Sequence, residues 1–188
     1  MIEIKNLHCR NLYIESLVIP DGPTFVRGKN GAGKTTLLEI ASGLRLPDKG
    51  SILIDGKSPR EIHAGYVSEF PSRSLLFAKV SDEISSSLRF AGLPEADILR
   101  ETKETADIFG ISHLLHRDCR TLSGGEKVLT AAASASAGCP KLIVLDEPDS
   151  HLDEQTAFEL LNSLLAMNIP HILWASHRKF AEGFEVVL

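Results

Sequence analysis

Gly28, Lys29, Asn30, Gly31, Ala32, Gly33, Lys34, Thr35 and Thr36 follow one another between an apolar stretch and an amphipathic one. Gly28-x4-Gly33-Lys34-Thr35 has the spacing of a phosphate-binding loop. Glycines let the backbone turn its N–H groups inward as an anion nest. A helix opening directly after them adds unpaired N–H groups and the positive end of its dipole. Lys34 then reaches the β- and γ-phosphates of a nucleotide, and the Thr35 hydroxyl ligates Mg²⁺. The plain alternative is a Gly-rich turn. With glycine at about 7% of residues, a chance match arises in about one chain per hundred, and the strand–loop–helix setting lowers that further.

Paired carboxylates supply the second half of the chemistry. Lys141-Leu-Ile-Val-Leu-Asp146-Glu147-Pro148 is four apolar residues ending in two acids. The apolar run suits a parallel strand covered on both faces, and catalytic groups belong at the C-terminal end of such a strand. Asp146 is expected to hold Mg²⁺, directly or through water. Glu147, adjacent but pointing differently, is placed to orient and deprotonate an attacking water. Alone, the pair is equally well read as a solvated acidic turn. Beside the phosphate loop, the catalytic reading is preferred.

Leu122-Ser123-Gly124-Gly125-Glu126 is a third anion-ready feature: a serine N-cap followed by glycines at a helix start. It resembles the signature of ATP-binding cassette proteins, usually Leu-Ser-Gly-Gly-Gln. The resemblance extends over nearly the whole chain. Asp149-Ser-His-Leu-Asp153 is similar to the family's D-loop, and Trp174-Ala-Ser-His177 to its switch histidine. Taken singly, Asp153 would be a helix cap and His177 a structural histidine. The resemblance implies ATP as substrate, His177 as a catalytic partner of Glu147 and Lys34, and Ser123, Gly124, Gly125 and Glu126 as contacts to ATP held by a second cassette. A second cassette, identical or homologous, and integral membrane transporter subunits are the implied partners. The stretch Leu75–Ile84, followed by Phe90-Ala-Gly-Leu-Pro94, looks like cobalt- and vitamin-type energy-coupling-factor importer cassettes.

The pattern is departed from at several points. Gly65-Tyr-Val-Ser68 is followed by Glu69 where the family usually has glutamine. A carboxylate there can still ligate Mg²⁺, with added negative charge beside triphosphate. The family's adenine-stacking aromatic falls near Asn11, with Tyr13 close by but facing differently. The signature ends in Glu126, and basic positions after it become Val128 and Leu129. The surface from Ser72 to Leu76 is a candidate groove for a membrane partner, or an ordinary loop.

These groups need a scaffold. Ile2–Leu7 and Leu12–Ile19 alternate like an antiparallel pair. Thr24–Arg27 leads into the phosphate loop, and Leu37, Leu38, Ile40, Ala41 and Leu44 have helical spacing after it. Ser51–Asp55, Gly65–Ser68, Leu142–Leu145, Ile172–Ala175 and Glu185–Leu188 read as strands, with a helix over Glu154–Met167. From Pro71 to Arg120 the stripe Ile84, Leu88, Ala91, then Ile98, Thr102, Thr105, Ile108 and Phe109 is helical. The expected fold is one α/β domain: a P-loop core of mostly parallel sheet with N-terminal antiparallel strands (1–70 and 136–188), carrying an inserted helical subdomain (71–135) with the signature.

At 188 residues the chain suits a single core. With a net charge of −5, nothing suggests a broad nucleic-acid or acidic-membrane surface. Three scattered cysteines in no ligand-like spacing fit a reduced compartment. No signal-peptide layout opens the chain, and no apolar run approaches the ~20 residues of a bilayer span. The expectation is a cytoplasmic ATPase, peripheral at the inner membrane face, that powers a transporter, most simply an importer. A soluble cassette acting on nucleic acid, Fe–S assembly or ribosomes is the alternative. A small-molecule kinase shares the loop but would not need Leu122–Glu126.

Overall fold

Ile2, Ile4 and Leu7 are buried while Lys5 and His8 are exposed, so β1 (Ile2–Cys9) has one core-facing side. The three-residue step from Ile4 to Leu7 is absorbed at Asn6, whose φ of 47° marks a bulge, and the pairing register shifts between Lys5 and His8. β2 (Leu12–Ile19) pairs antiparallel on one side of β1 and β4 (Lys49–Ile54) on the other. The structure, a computed structural model, describes residues 1–178 and 182–188.

The second sheet has the order β5 (Ala64–Val67), β6 (Leu142–Asp146), β7 (His171–Ala175), β3 (Gly22–Arg27), β8 (Phe184–Val187), with every neighbouring pair parallel. β6 and β7 are buried at all positions, which explains their unbroken apolar sequences. Asp146 lies opposite Ala175, so the ends of β6 and β7 are level. The phosphate loop leaves β3 at the same edge.

Alternate side chains of β6 and β7 enter different cores. Leu142, Val144, Leu173 and Ala175 join α1 (Lys34–Ala41) and the antiparallel sheet. Ile143, Leu145, Ile172 and Trp174 join α2 (Val80–Phe90), α3 (Glu95–Ile108), α4 (Gly124–Ser136) and α5 (Glu154–Ala166). The helices of 71–135 therefore share a core with the sheet. α4 lies directly on β5 because Gly65 is a glycine: a Cβ there would sit 2.2 Å from the Ala135 carbonyl oxygen.

Two members of the expected helical stripes are not in the core. Ala91 is exposed because α2 ends at Phe90, and Ile108, the last residue of α3, is 39% exposed. Ala106 fills the buried place instead. Cys9 and Cys119 are buried, Cys139 is exposed, and all are free thiols. Among the described residues no helix is long and apolar enough to cross a membrane.

Candidate functional site

The loop after β3 turns through a Lys29 carbonyl to Ala32 N–H bond of 3.0 Å. Gly33 is the N-cap of α1 with φ 104°, and a Cβ on it would meet the Leu12 side chain at 3.2 Å. Backbone hand and space thus both demand glycine there. Among the described residues no side chain caps the first turn of α1, and no acid lies in it, so its N–H groups are available to an anion. Lys34 is 5% exposed; its Nζ donates to the Gly28 carbonyl at 3.0 Å and pairs with Glu147 Oε1 at 3.2 Å.

At the end of β6, Asp146 is buried, and its Oδ1 has no hydrogen-bond partner among the described residues. The Tyr66 hydroxyl donates to Oδ2 at 3.4 Å. Burial pushes the Asp146 carboxyl above its ordinary value, and the Glu147 and Glu69 charges add to this, while Thr35 pulls it down. Burial likewise keeps the Tyr66 phenol protonated, with Asp146 contributing. An orphaned, desolvated carboxylate oxygen beside a threonine is a hard-cation donor set. Mg²⁺ therefore fits the residues present.

Glu147 has φ 51° and ψ 43°, a left-handed conformation rare for a side chain of this size. Its N–H is held by the Ala175 carbonyl at 3.0 Å. That turn aims the carboxylate into the cleft, where Oε1 lies 2.8 Å from His177 Nε2. His177 Nε2 is also 3.4 Å from Lys34 Nζ. Lys34, Glu147 and His177, spread over more than 140 positions of sequence, therefore converge. Non-glycine residues in such a conformation cluster at functional sites.

Lys34 and Glu147 border a cavity of about 390 Å³. Glu69, Glu147, Lys34 and Thr35 line one part, and Arg10 and Asn11, at the β1–β2 turn, another; Asn30, Gly31, Gly33 and Thr36 complete it. Tyr13 is 64% exposed and is not among the lining residues. The Glu69 carbonyl is 2.9 Å from His151 Nε2.

The signature is not part of this cavity. Ser123 and Gly124 are exposed at the start of α4. Glu126 closes a capping box: its Oε2 accepts the Ser123 N–H at 2.7 Å, and its own N–H donates to Ser123 Oγ at 3.3 Å. The Ser123 N–H, above all, holds the Glu126 carboxyl below its ordinary value. Arg117 pairs with the same carboxylate at 3.1 Å, offsetting negative charge beside the glycines.

Sequence reasoning missed Arg10 and Tyr66 as site residues and gave Asp149 no role of its own. Asp149 is 4% exposed and bonded to Trp174 and Ser176. Nothing local in Pro-Asp-Ser distinguishes a buried acid from a solvated one. The unusual polar pair of Trp174 and Ser176 beside a histidine was the available signal.

Over residues 16–150 the sequence matches the ABC transporter family. The molybdate/tungstate import ATP-binding protein of Thermococcus kodakarensis is 36% identical over 170 residues, 86% of this chain and 50% of the relative. The energy-coupling factor transporter ATP-binding protein of Thermotoga maritima is 40% identical over 171 residues, 87% of this chain and 65% of the relative. Among solved structures, a Clostridium perfringens protein described as part of the ABC transporter complex cbiONQ superimposes with a TM-score of 0.83 at 28% identity, over 94% of this chain and 78% of that one. The chain thus spans half to two thirds of these curated relatives' length.

Proposed function

This chain belongs to the ABC transporter family, and from that premise we propose that it is an ATP-binding and hydrolysing cassette that drives a membrane transporter, an importer like its curated relatives. The convergence of Lys34, Glu147 and His177 on the phosphate loop carries the reading.

ATP places its phosphates on the N–H groups of the loop 28–36 and the first turn of α1. Lys34 exchanges the Glu147 carboxylate for the β- and γ-phosphates, which present more negative charge. Glu147, released from Lys34, takes a proton from the water that attacks the γ-phosphate. His177 stays within reach of Glu147 and of the γ-phosphate and steadies both. Thr35, Asp146 and Glu69 are the residues that would hold Mg²⁺, which when bound neutralises charge on the phosphates. Arg10 and Asn11 face the base and ribose end.

Ser123–Glu126 lie outside the cavity, which supports completion of the site by a second cassette: each signature covers ATP on the partner's loop. A groove of about 490 Å³ bordered by Leu75, Leu76, Phe77 and Arg120 is the surface for the membrane subunit. Its rim is held in shape by Glu83, whose buried carboxylate accepts the Leu76 and Phe77 N–H groups, both at 2.8 Å.

Glu147→Gln tests the assignment. The amide keeps the shape but cannot accept the proton, so turnover falls by about 10²–10⁴-fold, while ATP binding persists. In size-exclusion with light scattering, the variant elutes as a dimer with ATP and a monomer with ADP. Wild-type turnover in this variant removes Glu147 as the base.

A further inference from the structure

We propose that Asp149 is a positioning residue whose buried carboxylate fixes His177 relative to Glu147. This rests on the cassette reading above and adds to it a residue that the phosphate loop, the paired acids and the signature do not include.

Asp149 follows Glu147 by two positions, in the short 3₁₀ turn Pro148–His151. Its Oδ1 accepts the Trp174 indole N–H at 3.0 Å, and its Oδ2 accepts the Ser176 hydroxyl at 2.8 Å. Ser176 Oγ in turn accepts the Arg178 N–H at 2.9 Å. One carboxylate therefore holds the chain at Trp174, at Ser176 and, through Ser176, at Arg178. His177 is spanned by these contacts. On the other side, the Glu147 N–H is tied to the Ala175 carbonyl. The 2.8 Å approach of His177 Nε2 to Glu147 Oε1 closes this ring of fixed contacts.

Stability alone does not account for such a cluster. Asp149, Trp174 and Ser176 are 4%, 0% and 0% exposed. A buried carboxylate costs desolvation, and well-packed apolar residues in its place are often neutral or stabilising. The cluster does supply direction. The His177 side chain is 42% exposed, so little packing orients its ring, and its place is set by the backbone on either side. A misplacement of about 1 Å at a reacting group can cost about a hundredfold in rate. Trp174 also packs against Phe25 on β3, with ring centroids 6.4 Å apart, so the clamp is seated against the strand that feeds the phosphate loop.

The test uses Asp149→Asn and Ser176→Ala in the assembly in which the wild type turns over ATP. The amide in the first variant keeps one acceptor oxygen and loses the other. Expected for each variant is a fall in kcat of about 10–100-fold, with ATP affinity within about twofold because the phosphate loop is untouched. Trp174 is the only tryptophan, and its emission shifts in Asp149→Asn as the indole loses a charged acceptor. The double variant is no slower than the worse single one, since both break the same clamp. If Asp149→Asn fails to fold, Ser176→Ala carries the kinetic test alone. Wild-type kcat in a variant whose Trp174 emission has shifted overturns the proposal. So does a loss of kcat that is additive in the double variant and matched by an equal loss of ATP affinity. A wild type that neither binds nor hydrolyses ATP sinks the cassette reading itself, whereas turnover in the wild type with unimpaired variants sinks only the clamp.

Discussion

Lys34 is satisfied twice by this protein's own oxygens, at Gly28 and at Glu147. Triphosphate therefore competes with a carboxylate already in place, and Lys34→Ala should abolish ATP binding in equilibrium titration while leaving the fold intact. Undiminished affinity would remove the phosphate loop from the site. Glu69 sits in the same cavity as Glu147. Glu69→Gln removes one negative charge near the phosphates and is expected to tighten Mg²⁺-dependent nucleotide binding, with turnover level or higher. A tenfold fall, about 1.4 kcal/mol of barrier, would instead make Glu69 indispensable. Lys34, Asp146 and Glu147 were legible because local motifs carry them. Arg10, Tyr66 and Asp149 were not, because their meaning arises from contacts with distant strands and from which way a side chain faces.

Among elements, α4 is held at both ends by features that substitution can isolate. At its start, the capping box depends on Glu126, whose carboxyl lies below its ordinary value of 4.5. A depressed carboxylate contributes stability above that value and loses it as pH falls through the folded value. Thermal melts should show this acid-side loss shrinking in Glu126→Gln, which keeps an acceptor without the charge. Near its end, the helix meets β5 at Gly65, where an added methyl runs into the Ala135 carbonyl. Gly65→Ala should destabilise by about 1–3 kcal/mol, read as a lowered denaturant midpoint. Strands and helices were legible from periodicity. The helix ends were less so: Ala91 and Ile108 continue the apolar spacing, but termination, not spacing, decides their exposure. The role of β4 as third strand of the N-terminal sheet was hidden too, because its pairing with β1 joins residues more than 40 positions apart.

At the scale of the whole molecule, the separation of the signature from the phosphate-loop cavity supports the proposed pairing with a second cassette. Ser123→Arg should leave ATP binding to the isolated chain nearly intact but depress turnover. Mixed with Lys34→Ala, it should regain at most one active site per pair; full turnover by Ser123→Arg alone would refute the arrangement in trans. The α/β class and the parallel sheet were readable from alternating strands and helices, whereas strand order was not, since it is fixed by crossovers that leave no local mark. The sheet's burial between two apolar layers has a further consequence for isotope labelling. Backbone amides of Leu142–Asp146 and His171–Ala175, in strands buried at every position, should exchange with deuterium through opening of the entire fold. Their exchange rate therefore clocks global unfolding, and added ATP should slow it by a factor of one plus the ratio of free ATP concentration to Kd. Nucleotide affinity can thus be read from two strands, most of whose residues never touch the ligand.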